Sequence, residues 1–155
     1  MMNGKQLFEA AEKFLFDNFG MAIEVPIEIN KRLKSTFGYF QFSGNQPKKI
    51  SMSYEFVKNQ PNKIVLDVLY HECVHYALFM QGKPFHDGDV TFKRTVDRLG
   101  VSRTGTYRFK GVGHLYRCKN DVCGKKFTKK MKGYDKRYIC AKCKSRFEYL
   151  GEVEI

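Results

Sequence analysis

His71, Glu72 and His75 are residue types whose spacing can hold a metal ion and move a proton beside it. They stand together as His71-Glu72-Cys73-Val74-His75. On a helix, residues four apart share a face and lie about 6 Å apart along the axis. Both imidazoles can then reach one Zn²⁺ at roughly 2.0–2.1 Å. Glu72 comes next round the helix, where its carboxylate can take a proton from a water activated at the metal. This is the pattern of a zinc metallopeptidase of the His-Glu-x-x-His type. A catalytic zinc also needs a third protein ligand and an open position. His86 and Asp87 follow 11 and 12 residues after His75. His86 is favoured because imidazole is the commoner third ligand, and Asp87 is the alternative. Asp87 or Asp89 could instead orient a ligating imidazole. His114 is a weaker candidate.

A second set of metal-binding side chains lies downstream. Cys118 and Cys123 form one pair and Cys140 and Cys143 another, with 16 residues between them. Paired cysteines in a protein expected in the cytoplasm favour metal over disulfide. Four thiolates holding tetrahedral zinc make a closed, structural site, and the spacing reads as a zinc ribbon. The expected cofactors are therefore two zinc ions, one catalytic and one structural. The fifth cysteine, Cys73, falls on the apolar motif helix. It reads as a core residue, with a redox-sensitive thiol as the alternative.

The elements that position these groups follow from the apolar pattern. The motif lies in a helix opened by Pro61-Asn62 and closed by Gly82-Lys83-Pro84. Before it, residues 4–19 read as an amphipathic helix with Leu7, Phe8, Ala11, Phe14 and Leu15 on one face, stopped by Gly20. Residues 23–60 read as a small antiparallel sheet, with strands around 27–29, 38–42 and 50–54. A shorter helix over about 89–99 turns Phe92, Val96 and Leu99 inward. The expected fold class is α+β: a small metallopeptidase core of helices on a short sheet over residues 1–105, then a basic zinc-ribbon module over 106–155.

Charge separates the two parts. Residues 1–100 carry 13 Lys/Arg against 11 Asp/Glu, whereas residues 101–155 carry 15 against 5. Such an excess in one segment suggests a polyanion partner, most simply nucleic acid. Aromatics are interleaved with these cations, so phosphate pairing and base stacking are both expected there. The chain has no run of 18 apolar residues and its first residues lack a signal-peptide core, which points to the cytoplasm and to no membrane.

The chain resembles the SprT-like family, the bacterial relatives of the eukaryotic protease Spartan. The matching residues are the helix Val68–Tyr76 carrying the motif, the Gly82-Lys83 break, the His86-Asp87-Gly88-Asp89 loop, Phe92-Lys93, Tyr116-Arg117-Cys118 and the Cys140-x-x-Cys143 pair. The similarity runs from about residue 4 to 150. It implies a compact zinc metallopeptidase core with a ribbon beside it, His71, His75 and a loop His as ligands, and Glu72 as base. In Spartan-like members it also implies DNA-dependent cleavage of proteins held on DNA, so the expected partners are protein substrates and single-stranded or damaged DNA. Aligned without gaps from the motif, Asp87 takes the place of the family's third His, and a one-residue loop shift restores His86. The four-residue gap in the first cysteine pair also exceeds the usual two. The leading expectation is a zinc endopeptidase acting on DNA-associated proteins. The alternatives are a non-catalytic DNA-binding zinc-ribbon protein on a peptidase scaffold, and a metalloprotease aimed at a regulatory protein.

Overall fold

A computed structural model describes residues 1–104 and 107–155. The chain divides into two units, Met1–Tyr107 and Arg108–Ile155. The expected boundary at 105/106 falls outside the described residues. Both units mix helices with small sheets, so the α+β expectation describes the architecture.

The N-terminal unit is built round one helix. Its elements are α1 (Gly4–Phe19), β1 (Ile27–Asn30), β2 (Gly38–Ser43), β3 (Gln46–Ser53), α2 (Tyr54–Asn59), α3 (Asn62–Met80) and α4 (Val90–Leu99). Helix α1 occupies the stretch expected of it. Asn3 and Gln6 cap each other at its start, and Gly20 ends it in the left-handed conformation. Helix α3 is apolar nearly all round, which suits a helix covered on several sides. Val65, Leu69, Cys73, Val74, Tyr76 and Ala77 are all fully buried. The Phe14 ring of α1 stacks on Tyr70 of α3 at 4.4 Å. Ile50 and Met52 of β3 enter the same core as Leu7, Leu15 and Leu69.

The sheet has the order β1-β3-β2. It is mixed rather than antiparallel. β2 and β3 form an antiparallel hairpin through Gly44-Asn45, but β1 runs parallel to β3, with Ile27 opposite Ile50. The chain runs out along β1, back along β2 and out again along β3, which slots into the middle. The third expected strand also stops early. The Ser53 hydroxyl accepts from the Phe56 N–H and opens α2, burying Phe56 and Val57. β2 is left as an edge strand. Gly38 lets it approach α3, since a Cβ there would lie 3.2 Å from Val68 Cγ1 and 2.9 Å from Met52 Sδ.

The C-terminal unit holds β4 (Val112–Cys118), β5 (Lys126–Lys129), the single-turn α5 (Tyr134–Arg137) and β6 (Phe147–Glu154). Its sheet has the order β5-β4-β6, antiparallel throughout. Tyr116, Cys118, Cys140 and Phe147 form its buried core, with Phe127, Tyr134 and Tyr149 packed against them. No helix among the described residues is long and apolar enough to cross a membrane.

Candidate metal centres

α3 presents His71 and His75 from successive turns, and neighbouring backbone fixes each ring. His71 Nδ1 donates to the Ser102 carbonyl at 2.7 Å. His75 Nδ1 donates to the Phe85 carbonyl. A carbonyl can only accept, so the ring protons sit on Nδ1 and each Nε2 of a neutral ring carries a bare lone pair. The two Nε2 atoms face each other at 3.2 Å. Phe92 of α4, fully buried, supports both rings, stacking on His75 at 4.0 Å and meeting His71 edge-on at 5.0 Å. Burial holds the His75 pKa below the ordinary imidazole range, which favours the neutral, ligating form.

Glu72 joins the two histidines in one group of ligand atoms, all within 4.8 Å of one another. It is 7% exposed. Burial pushes its carboxyl up to about 8, and the charge of Asp87 adds to the rise. The Phe40 backbone N–H on edge strand β2 opposes that rise by bonding the carboxylate. A cleft of about 220 Å³ opens onto this group between Phe40, Phe42, Glu72, His75, Phe85 and Asp87.

The loop after α3 delivers a carboxylate to the pair rather than the expected imidazole. Asp87 Oδ1 lies 3.1 Å from His71 Nε2 and 2.8 Å from His75 Nε2. His86 is exposed, and its ring lies on Phe85 at 4.3 Å with Phe42 beyond it. The cause is the turn itself. Asp89 Oδ2 accepts from the His86 N–H, and the Asp89 N–H donates to the His86 carbonyl. Those bonds pin residue 86 on the aromatic side and place residue 87 over the histidines. Asp89 therefore closes the loop and does not orient an imidazole. His114 lies in the other unit, where its Nδ1 pairs with the Tyr149 hydroxyl at 2.9 Å. Cys73 is fully buried in the N-terminal core and burial pushes its thiol pKa up, as suits a packing residue.

Three contributors to the site carry no chemical signature in the sequence. The Ser102 and Phe85 carbonyls act through backbone, and any residue supplies one. Phe92 reads in the sequence as an inward-facing core residue, and only the fold stacks it on an imidazole.

Cys118, Cys123, Cys140 and Cys143 form the second group, again with all donor atoms within 4.8 Å. All four are free thiols, and Cys118 Sγ lies 3.2 Å from Cys143 Sγ, well beyond a disulfide bond. The two pairs are closed alike despite their different lengths. The Cys118 N–H donates to the Lys125 carbonyl, two residues past Cys123, and the Cys140 N–H donates to the Ser145 carbonyl, two past Cys143. The residue after each second cysteine takes a left-handed φ, Gly124 at 53° and Lys144 at 62°. Asn120 absorbs the extra length, its side chain accepting from the Val122 N–H at 3.0 Å. The Ser145 backbone N–H holds the Cys143 thiol below its ordinary range.

Both donor sets fit zinc. Two neutral imidazoles beside a carboxylate, and four sulfurs at a common point, are groups that repel or stay unsatisfied unless a cation lies among them. Most of the unit's basic side chains are displayed and most of its rings are not. Lys125, Lys126, Lys129, Lys130, Lys132, Lys136 and Arg137 are exposed, whereas Tyr116 and Phe147 are buried and Phe127, Tyr134 and Tyr149 are half-buried against them. Tyr138, at 48%, stands out among the aromatics of this unit as an exposed ring.

A model of the SprT-like family matches residues 4–110. The chain is 25% identical over 151 residues to the protein named Protein SprT-like from Bacillus velezensis, covering 95% of this chain and 98% of that relative. It is 24% identical to the Protein SprT-like of Staphylococcus saprophyticus, covering 97% of each. Against that of Enterococcus faecalis it is 27% identical, covering 81% of this chain and 80% of the relative.

Proposed function

The chain belongs to the SprT-like family, and we propose that it is a zinc-dependent endopeptidase acting on DNA-associated proteins in the cytoplasm. The observation that carries this reading is the convergence of His71 Nε2 and His75 Nε2 beside the buried Glu72 carboxylate, at the mouth of a cleft. A structural zinc site has no use for a buried base.

Zinc, when bound, supplies a Lewis acid that polarises a peptide carbonyl and acidifies water. His71 and His75 hold it, with rings fixed by the Ser102 and Phe85 carbonyls and by Phe92. An extended peptide lies along edge strand β2, on the side that is not paired with β3. Glu72 takes the proton of the attacking water as its oxygen bonds to the scissile carbonyl carbon. It then gives that proton to the amine nitrogen as the C–N bond breaks. Phe40, by its N–H, keeps the carboxylate in place. In the C-terminal unit the four cysteines hold a structural zinc, and the exposed Lys and Arg pair with DNA phosphates with little sequence preference.

The test is a cleavage assay on a basic DNA-binding protein, with zinc-loaded wild type and Glu72→Gln, each with and without single-stranded DNA. Cleavage by wild type in the presence of DNA, and its loss in Glu72→Gln by about 10²-fold or more with zinc retained, is the expected result. Equal rates in the two proteins would sink the assignment of Glu72. Zinc-loaded protein that binds DNA and cuts nothing would favour the non-catalytic DNA-binding reading, which the basic C-terminal segment supports. Selective cleavage of a single regulatory protein without DNA would favour the regulator-directed protease.

A further inference from the structure

The geometry points to a two-histidine, one-carboxylate metal site in this chain, formed by His71 Nε2, His75 Nε2 and Asp87 Oδ1, with His86 outside it. The inference rests on the zinc reading of the motif, though not on peptidase activity.

The three atoms form a nearly closed triangle with sides of 3.2, 3.1 and 2.8 Å. Ligands bonded to tetrahedral zinc at 2.0–2.1 Å stand roughly 3.3–3.4 Å apart. The triangle is therefore close to one face of such a tetrahedron and needs only a few tenths of an ångström of expansion. The chemistry agrees with the distances. Each imidazole has committed its Nδ1 proton to a backbone carbonyl, so each Nε2 offers a lone pair alone. The carboxylate also offers lone pairs alone. Three acceptors converging on one point call for a cation between them.

The loop makes the choice between neighbours. Residues 86 and 87 point to opposite sides of the turn that the paired bonds between His86 and Asp89 close. Asp87 faces α3. His86 faces out across Phe85 and Phe42. A one-residue shift that brought His86 to the metal would break both loop bonds and lift its ring from Phe85.

The experiment counts zinc rather than turnover. Wild type, His86→Ala, Asp87→Ala and Asp87→His, all full-length, are loaded with zinc and titrated with a competing chelator. The cysteine cluster serves as an internal reference. The expected result is that His86→Ala keeps the second zinc within a few-fold of wild type. Asp87→Ala loses affinity at that site by about 100-fold or more, and Asp87→His regains most of it. Cobalt substituted into the histidine site gives a second readout, because the visible band changes between wild type and Asp87→His when residue 87 is a ligand. Loss of the second zinc in His86→Ala with its retention in Asp87→Ala overturns the proposal. Unchanged affinity in Asp87→Ala, or an unchanged cobalt band in Asp87→His, overturns it as well. Asp87→His keeps the question answerable if Asp87→Ala proves unstable. A protein that binds two zincs as expected and cuts nothing would sink the peptidase reading and leave this one standing. A wild type that binds zinc at the cysteines alone would sink both.

Discussion

Asp67 and Ser102 are joined by a hydrogen bond from the Ser102 N–H to Asp67 Oδ1 at 3.1 Å. The same Ser102 peptide offers its carbonyl to His71 Nδ1. Asp67, one helical turn before His71, thus sets the position of the group that orients the imidazole. Its other oxygen accepts from the Tyr107 hydroxyl. Outer partners of this kind tune metal affinity by about 10–100-fold. Asp67→Ala is expected to weaken zinc at the histidine site by that factor and to leave the cysteine cluster unchanged. Tyr107→Phe, which removes one of the two bonds to Asp67, should have a smaller effect. Chelator competition on each variant reads both sites. A full-strength histidine site in Asp67→Ala would remove Ser102 from the account.

Gly38 is where β2 crosses α3. A Cβ there would meet Met52 Sδ at 2.9 Å, the Ser51 carbonyl oxygen at 3.2 Å and Val68 Cγ1 at 3.2 Å. Met52 can shift, but the Ser51 backbone cannot readily do so. Gly38→Val is expected to destabilise the N-terminal unit by about 1–3 kcal/mol in urea unfolding. It should also slow cleavage by more than it changes zinc affinity, because it moves the strand whose Phe40 N–H holds Glu72. Unchanged stability would mean that strand and helix are less tightly apposed than the distances imply.

The helix carrying the motif was legible because its apolar run is long and unbroken, and the His-Glu-x-x-His spacing fixes which side chains share a face. The first helix was legible for the same reason, with Gly20 as a clear stop. Two parts of the sheet were not. Pattern alone gives strands but no partners, so nothing in Ile27-Glu28-Ile29 tells whether β1 pairs with β2 or, as found, runs parallel to β3. Ser51-Met52-Ser53-Tyr54 alternates like a strand, yet Ser53 caps a helix there. In the site, the type preference of zinc favours His86. The loop turns Asp87 rather than His86 toward the histidine pair, through the bonds between residues 86 and 89, which depend on backbone path rather than residue type. The cysteine spacing, by contrast, survives an irregular gap, because Asn120 takes up the slack inside the turn.

Burial of Glu72 gives the metal-free protein a pH dependence with a defined sign. Its folded pKa is raised to about 8, against roughly 4.3 in an unfolded chain. Between those values the native state holds a proton that the unfolded state has lost. Stability is therefore fully present below about pH 4, falls as pH rises, and levels off above about pH 8. Glu72→Gln has no such group. In chelated protein its stability advantage over wild type should grow from pH 5 to pH 8, by on the order of 3 kcal/mol. Urea unfolding of the N-terminal unit at several pH values measures it. Parallel curves for the two proteins would show that Glu72 reaches solvent once the metal is gone.

The exposed cations of the C-terminal unit should make binding of single-stranded DNA steeply salt-dependent, with log K falling by about 0.7 per phosphate neutralised for each unit of log salt. Replacing Lys125, Lys126 and Lys129 together by Gln should flatten that slope by roughly two units. Tyr138→Ala tests the exposed ring separately. A loss of affinity with the slope unchanged would identify stacking rather than charge. Binding that ignores both salt and these substitutions would place the DNA surface elsewhere or remove it.

Removal of zinc from the cysteine cluster should unfold the C-terminal unit and spare the N-terminal one. The physical reason lies in what the small core is made of. Of its four buried side chains, Tyr116, Cys118, Cys140 and Phe147, two are cysteines. Without an ion those sulfurs crowd together with two more, at distances as short as 3.2 Å, and contribute neither a disulfide nor much apolar area. The remaining rings cannot cover so short a chain, and small units of this kind commonly take much of their folding energy from the metal. The N-terminal unit needs no such support, since Leu7, Leu15, Ile50, Met52 and Leu69 are fully buried in one continuous core. In amide-resolved spectra, a chelator strong enough to strip four thiolates should collapse the dispersed signals of residues 108–155 and leave those of α1 and α3 in place. Cys140→Ser should do the same without chelator, while Cys73→Ser, in the other unit, should leave the β4–β6 signals intact. DNA affinity should vanish with the C-terminal signals and return when zinc is restored. A C-terminal unit that keeps its dispersed spectrum after zinc is stripped would mean that the rings around Tyr116 hold the sheet on their own.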